Sequence, residues 1–394
     1  MSTVRTHVTP LPAVLERVSD STAGTTGEAP ASRLTGLFAR LEGQSPLGAI
    51  TPNWFASVMG TGIVANAAAT LPVRLPGLLD VARVVWALDL ALLVIISAAT
   101  LAHRLRHPGR RYLADPVMAH FYGAPAMALM TVGAGAVLVG GPWLGHEPAL
   151  VLDAVLWSAG TLLGLGTAVT VPYRAFTEHR IGPESAFGGW LMPVVPPMVS
   201  AATGPLLLPL VTDPQTRATL VLACYAMFGL TLVASLVMIT LIWHRLVHHK
   251  LGAAAAVPTL WIVLGPLGQS ITAAHVLGVQ APAVLPAPYG RAFEAFGLVY
   301  GVPVWGFALL WAALALAVTV RTVRAGLPFS LTWWSFTFPV GTVVTGTSGL
   351  AAATGLPLFA GAAVAIYVAL VAAWLVVAVR TVRGVFDGRL LRAV

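Results

Sequence analysis

The stretch Trp333–Gly349, WWSFTFPVGTVVTGTSG, carries no charged residue but combines aromatic side chains with Thr, Ser and Gly. Hydroxyl groups supply hydrogen-bonding atoms without a fixed charge, so a stretch that combines them with aromatic residues suits the lining of a narrow polar pore. Phe338 lies in the middle of the stretch, directly before Pro339. Hydroxyl residues three, four and seven positions away share its helical face: Ser335, Thr342 and Thr345.

Uncharged polar side chains recur at helical spacing in four earlier apolar segments. They are Asn53, Ser57 and Thr61 in the first, His120 in the second, Ser200 in the third, and Gln269, Thr272 and His275 in the fourth. Prolines that would bend these helices accompany them: Pro125, Pro197, Pro266 and Pro339. Together the residues predict helices that line a narrow polar path. Small and hydroxyl residues also let helices pack closely, so packing is the alternative interpretation at each position.

Ionisable residues inside apolar segments are costly, which makes each of them a candidate for function. If transport is coupled to protons, His120 and His275 are the candidates, because histidine titrates near physiological pH. A structural, hydrogen-bonded role is the alternative for both. Asp89, in the middle of another segment, is expected to pair with a neighbouring polar group.

An enzyme within the membrane would need clustered nucleophiles, metal ligands or facing carboxylates, and the sequence contains no HExxH motif. The run HRLVHHK holds three histidines in a predicted loop, where a topology signal is the simpler interpretation. We therefore predict no catalytic residue, metal or cofactor, and a protein that is not an enzyme.

The composition explains where such polar stripes must lie. Of 394 residues, 57% are hydrophobic and 9% are charged, whereas a soluble domain has about 25% charged residues. The chain is therefore predicted to cross a lipid bilayer many times. Its net charge of +8 comes from short basic loops that set topology, so nucleic-acid binding is not expected.

Ten segments are long and apolar enough to span a bilayer, near residues 53–71, 79–103, 117–140, 149–172, 190–211, 217–244, 259–280, 291–320, 332–353 and 356–379. Each odd-numbered segment begins with an aromatic residue, and these recur about every 70 residues: Trp54, Phe121, Trp190, Trp261 and Trp333. The repeat predicts an all-α protein of five helical hairpins. The polar odd helices would form an inner pore ring and the apolar even helices an outer ring.

Basic residues concentrate in the loops that follow even-numbered segments, such as HRLRHPGRR and RTVRAG. The positive-inside rule then places both termini in the cytoplasm. We expect a multi-pass protein of the plasma (inner) membrane. Residues 1–45 are predicted to be a disordered cytoplasmic tail, 46–385 the membrane domain, and 386–394 a cytoplasmic C-terminal tail.

The motifs TPNWFASVMGTGI, GPLGQS and WWSFTFPVG resemble the tellurite-resistance/dicarboxylate transporter family. That family includes bacterial tellurite-resistance proteins, yeast malate permeases, fungal sulfite efflux pumps and the slow anion channels of plant guard cells. The resemblance covers about residues 48–385, and NWFASVMGTGI is most similar to the sulfite-pump branch.

This resemblance implies a homotrimer with one pore in each subunit, lined by the odd helices. It also implies a phenylalanine plug on the ninth helix, which the match at Thr337-Phe338-Pro339 assigns to Phe338. Small anions, with sulfite-like oxyanions favoured, are the expected substrates. A C4-dicarboxylate (malate) transporter is the alternative, and an intramembrane enzyme ranks below both.

Overall fold

The computed structural model describes residues 49–106 and 112–391, which fold into helices without a strand in these ranges. The predicted N-terminal tail, residues 1–45, lies outside the described residues. In these ranges we number ten α-helices in chain order, leaving the four-residue helix Gly141–Leu144 unnumbered: α1 Phe55–Thr70, α2 Leu78–Arg106, α3 Gly123–Gly135, α4 His146–Thr177, α5 Pro196–Thr203, α6 Pro214–His249, α7 Leu264–Val284, α8 Tyr289–Arg324, α9 Phe338–Thr354 and α10 Pro357–Phe386.

Among the described residues, seven helical stretches are long and apolar enough to cross a membrane. They are the five even helices and the odd stretches Met118–Leu144 and Ala254–Val284. In the most apolar 18 residues of each even helix, between 17% and 33% of the residues are buried, whereas 78% are buried in the two odd stretches. The even helices therefore present most of their apolar surface outward, and the two odd stretches lie inside.

The even helices extend further than the sequence indicated, because residues assigned to basic loops form their last turns. Arg104 and Arg106 end α2, Arg321 and Arg324 end α8, and the histidines of HRLVHHK lie within α6. Cations near a helix C-terminus interact favourably with the helix dipole, which is consistent with helix at these positions.

A tight 3₁₀ segment precedes the α-helix in every odd unit. These segments are Pro52–Trp54, Met118–Tyr122, Gly188–Leu191, Ala254–Val263 and Leu331–Phe336. All five aromatic residues of the sequence repeat lie in them. The 70-residue repeat therefore corresponds to a repeated change from 3₁₀ to α geometry.

The four prolines expected to bend helices lie in the first turn of the α-segment that follows the 3₁₀ segment. Pro197 and Pro339 are second in α5 and α9, and Pro125 and Pro266 are third in α3 and α7. The first N–H groups of a helix have no partner within it, so proline costs little there.

Packing follows the chain order. Each odd helix contacts the next odd helix, and α9 returns to contact α1. Each even helix contacts the odd helix that precedes it. These contacts place the polar odd helices side by side.

A side-chain cap fixes the start of α6 on the side opposite its basic end. The Asp213 carboxylate accepts hydrogen bonds from the backbone N–H and hydroxyl of Thr216, at 2.8 and 2.7 Å. Both bonds favour the charged form and hold the pKa of Asp213 below its usual value. The loop before α6 thus ends at a defined residue.

Candidate functional site

Phe338 is the first residue of α9, and only 2% of its surface is exposed. The sequence suggested one continuous helix bent at Pro339. Instead, the 3₁₀ segment ends at Phe336, and Thr337 breaks the helix with φ −109° and ψ −77°. The geometry changes just before the proline because Pro339 fits the first turn of the new helix without losing a hydrogen bond. Ser335, half-buried, therefore lies on the 3₁₀ segment and not on the helical face of Phe338.

Neighbours on three sides of α9 define where Phe338 points. Val340 lines an outward crevice between α8 and α10, Gly341 packs against Ile63 of α1, and Gly346 packs against α7. At about 100° per residue, Phe338 lies nearly opposite Val340, between the α1 and α7 directions. Its side of α9 therefore points inward, away from the crevice.

Three threonine hydroxyls join α9 to α7. Thr345 Oγ1 and Thr272 Oγ1 are 2.7 Å apart. Thr342 Oγ1 lies 3.1 Å from the carbonyl oxygen of Leu264 and 3.3 Å from that of Gly265. The structure thus brings together three of the predicted hydroxyl residues at the interface between α7 and α9.

Gly265, near the start of α7, marks an internal space. The residue is buried, yet a Cβ atom built on it would meet no atom within 4 Å. The other buried glycines among the described residues all have close neighbours in that direction. Buried positions are normally packed against neighbouring atoms, so Gly265 borders a void.

Gln269 lies one turn after Gly265 on the same face of α7. It is 5% exposed, and its Oε1 has no hydrogen-bond partner among the described residues. An amide carries two N–H donors, and turning it exchanges the positions of O and N. Gln269 can therefore present donors on the side of α7 that carries Gly265.

Other predicted lining residues bond to even helices or to the backbone of their own segment. Thr61 Oγ1 accepts a hydrogen bond from Trp374 Nε1 of α10 at 3.2 Å. Ser200 Oγ is 2.8 Å from Thr161 Oγ1 of α4. Ser57 Oγ donates to the carbonyl of Trp54 at 2.7 Å. These hydroxyls serve helix packing or backbone capping and do not join the group around Gly265.

The remaining candidates lie apart from that group or at its edge. Asn53 accepts a hydrogen bond from the Thr51 hydroxyl on the first 3₁₀ segment. His120 is 5% exposed, and its ring centroid is 6.0 Å from that of Trp190. In the part of the chain that the structure describes, neither of its nitrogens has a hydrogen-bond partner. His275 packs against Gly349, at the α7–α9 interface.

Two carboxyl groups are buried without a hydrogen bond from the described residues. Asp89 of α2 packs on Gly62 of α1, and Asp153 of α4 packs on Gly133 of α3. The expected polar partner of Asp89 is therefore absent from the described part of the chain. Glycine leaves room for a carboxyl group between two helices but offers no side-chain donor.

Sequence reasoning missed Gly265, although it lies within the GPLGQS motif. A helical stripe of Gly265, Gln269 and Thr272 is visible in the sequence at spacings of four and three residues. Nothing in the sequence, however, distinguishes a glycine that borders a void from one that contacts a helix. Gly268, in the same motif, contacts Thr342 closely.

Residues 49–382 match a family model described as SLAC1, voltage-dependent anion channel. The sulfite efflux pump SSU1 of Trichophyton rubrum is 30% identical over 78% of this chain and 83% of its own length. An uncharacterized transporter of Methanocaldococcus jannaschii, MJ0762, is 26% identical over 86% of this chain and 96% of its own length. These names describe channels and transporters, not enzymes, and they confirm the resemblance inferred from the motifs. The chain therefore belongs to the voltage-dependent anion channel family, SLAC1.

Proposed function

We propose that this protein passes small anions, with sulfite-like oxyanions favoured, through a narrow path between the odd helices, and that Phe338 closes this path. The void at Gly265 is the observation that carries the proposal. Gly265 lies on the side of α7 that also holds Gln269, and its carbonyl oxygen is 3.3 Å from Thr342 Oγ1. An internal space bordered by uncharged donors is what weak, reversible anion binding requires.

The pore-ring arrangement draws support from the packing order. Contacts from each odd helix to the next, and from α9 back to α1, close a cycle of five. Phe338 lies on the inward side of this cycle, between α1 and α7. A benzyl group at that position would fill a narrow path and exclude water, which is a known way to gate a pore.

Sulfite is favoured over a dicarboxylate for two reasons. Several relatives are named sulfite efflux pumps. The residues that we assign to the path include no arginine, whereas tight recognition of a carboxylate commonly uses a bidentate Arg. A proton-coupled C4-dicarboxylate carrier is the second candidate. It would use His275, which lies at the α7–α9 interface, or His120, which has no hydrogen-bond partner within residues 49–106 and 112–391.

Flux in sealed liposomes tests the proposal. Purified protein, with no added energy source, should let sulfite run down its gradient faster than malate, because a small oxyanion fits a path lined by single donors. Equal fluxes in protein-containing and empty liposomes would contradict a channel. Malate flux that requires a pH gradient would instead favour the proton-coupled carrier.

The same proposal includes the assembly in the membrane. Five hairpins, each an odd helix and the even helix after it, would surround the path in the plasma (inner) membrane. Residues 46–385 would form this domain, with cytoplasmic segments 1–45 and 386–394. A homotrimer with one path per subunit is the proposed assembly.

Cysteine labelling in intact cells should reveal the orientation. Cys224 is buried, so introduced cysteines can be read over a low background. Glu147→Cys, at the exposed start of α4, should react with an impermeant thiol reagent from outside. Lys250→Cys, after the basic end of α6, should react only after the cells are permeabilised. The opposite pattern would reverse the proposed topology.

A further inference from the structure

An apolar crevice of about 310 Å³ opens on the outer surface between α8 and α10. Trp333, Phe336 and Val340 form its floor, and Ala369 and Ala373 form the α10 wall. The two alanines are four residues apart, so they share one face of α10 and leave a smooth channel along it. The crevice lies on the surface that a membrane protein turns toward lipid.

Arg380 stands at one end of this crevice. It follows Ala373 by seven residues on the same face of α10, which places it about 10 Å further along the axis. Its guanidinium carbon is 4.7 Å from the centroid of the Trp333 ring. Arg380 is exposed and makes no ion pair with a carboxylate in the described ranges.

We propose that the crevice binds an anionic phospholipid, with an acyl chain between α8 and α10 and the headgroup phosphate on Arg380. The apolar lining fits a hydrocarbon chain. A guanidinium held over an aromatic ring, with no carboxylate paired to it among the described residues, keeps its N–H donors available to a phosphate. Both walls end in arginines at this level, Arg324 on α8 and Arg383 on α10. Such clusters at the membrane surface attract anionic lipids.

The crevice also lies directly behind the proposed plug. Phe336 and Val340 flank Phe338 in the chain and face the crevice, while Phe338 faces inward. A lipid chain against Phe336 and Val340 would hold the junction between the 3₁₀ segment and α9. Lipid binding stands independently of the proposed function, whereas an effect on flux rests on it.

Native mass spectrometry of the purified full chain would measure binding directly. The detergent-solubilised protein is titrated with phosphatidylglycerol or with phosphatidylcholine of the same acyl chains. We expect phosphatidylglycerol to bind more tightly. Arg380→Gln should weaken it about fivefold, the effect of one arginine near an anionic lipid surface. Ala373→Trp should reduce binding of both lipids by filling the crevice, and Ala373→Leu should do so less.

Arg106→Gln is the matched control, because Arg106 is an exposed arginine at the end of another outward helix, α2. It should bind phosphatidylglycerol like the wild type, and thermal melts should show that every variant is folded. Equal loss in Arg106→Gln and Arg380→Gln would overturn the site, since binding would then follow total charge. Unchanged binding in folded Arg380→Gln and Ala373→Trp would also overturn it. A change of oligomeric mass in Ala373→Trp, without a change in lipid count, would show that a second copy covers the crevice.

Anion flux tests whether the bound lipid affects the plug, separately from whether the lipid binds. Phosphatidylglycerol in the liposomes should alter the basal anion flux of the wild type and leave that of Arg380→Gln unaltered. Phe338→Ala, which we expect to conduct, serves as the positive control, so that a preparation without any flux can be recognised as inactive. If binding behaves as expected while flux ignores the lipid, the link to the plug is wrong.

Discussion

Replacing Phe338 with Ala is expected to raise the basal anion flux in liposomes by about tenfold or more, the change that follows when a barrier falls by roughly 1.4 kcal/mol. The reason is geometric. Phe338 begins α9 on its inward side, and the hydroxyls of Thr342 and Thr345 continue along that side. Removing the benzyl group would leave a path lined by donors and open to water. Sulfite flux without an energy source is the measurement.

Stability gives a second readout of the same variant. A packed core Phe→Ala change costs about 3–5 kcal/mol. Phe338→Ala should cost less, because part of the side chain would border the path and not a close-packed core. Thermal unfolding in matched detergent compares the variant with the wild type.

Phe336→Ala is the matched control, two residues earlier on the 3₁₀ segment. Its ring makes edge contacts with Trp261 and Trp333, with centroids 5.7 and 5.6 Å apart. Losing these contacts should destabilise the protein by about 1–3 kcal/mol, with no gain in flux. A conducting Phe336→Ala beside a silent, unstable Phe338→Ala would show that the wrong phenylalanine was chosen. No gain in either variant would contradict the plugged path itself.

Much of the fold was predictable because membrane helices carry strong sequence signals. Each predicted segment overlaps one of the ten numbered helices, and the all-helical class with several apolar membrane helices is confirmed. In the described ranges only seven stretches are long and apolar enough to span a membrane, and α1, α5 and α9, which have 16, 8 and 17 residues, are not among them. The 3₁₀ segments were not predicted, because an aromatic residue followed by Gly or Pro is compatible with either a bend or a change of helix type. The fifth segment differs most, since only Pro196–Thr203 of residues 190–211 is α-helical.

The candidate site was harder to predict because a stripe of hydroxyls has two uses. Thr345 and Thr272 meet across α7 and α9, whereas Thr61 meets Trp374 of an outer helix. Helical spacing shows which residues share one face of a helix, but it does not show which neighbouring helix that face contacts. The inward face of α9 was identified from the structure, because Gly341 packs against α1 and Gly346 packs against α7.

Two glycines of the GPLGQS motif should respond oppositely to the same change. In Gly268→Ala, the new methyl group would lie 2.6 Å from Thr342 Oγ1 and would overlap the α9 backbone. Overpacking of this kind costs about 1–3 kcal/mol. Gly265→Ala, one turn earlier, meets no atom within 4 Å. It should leave stability unchanged or raise it by up to about 1 kcal/mol, because alanine favours the helix.

Flux then shows whether the space at Gly265 belongs to the path. In a Phe338→Ala background, Gly265→Leu should fill that space and reduce sulfite flux about tenfold, by restoring a barrier of roughly 1.4 kcal/mol. The protein should still fold, because the added atoms enter a void and not a packed interface. Gly229→Leu is the control, since Gly229 on the even helix α6 also has no neighbour within 4 Å. It should leave flux unchanged. If the two leucine variants conduct equally, the void at Gly265 is a packing defect and the path runs elsewhere between the odd helices.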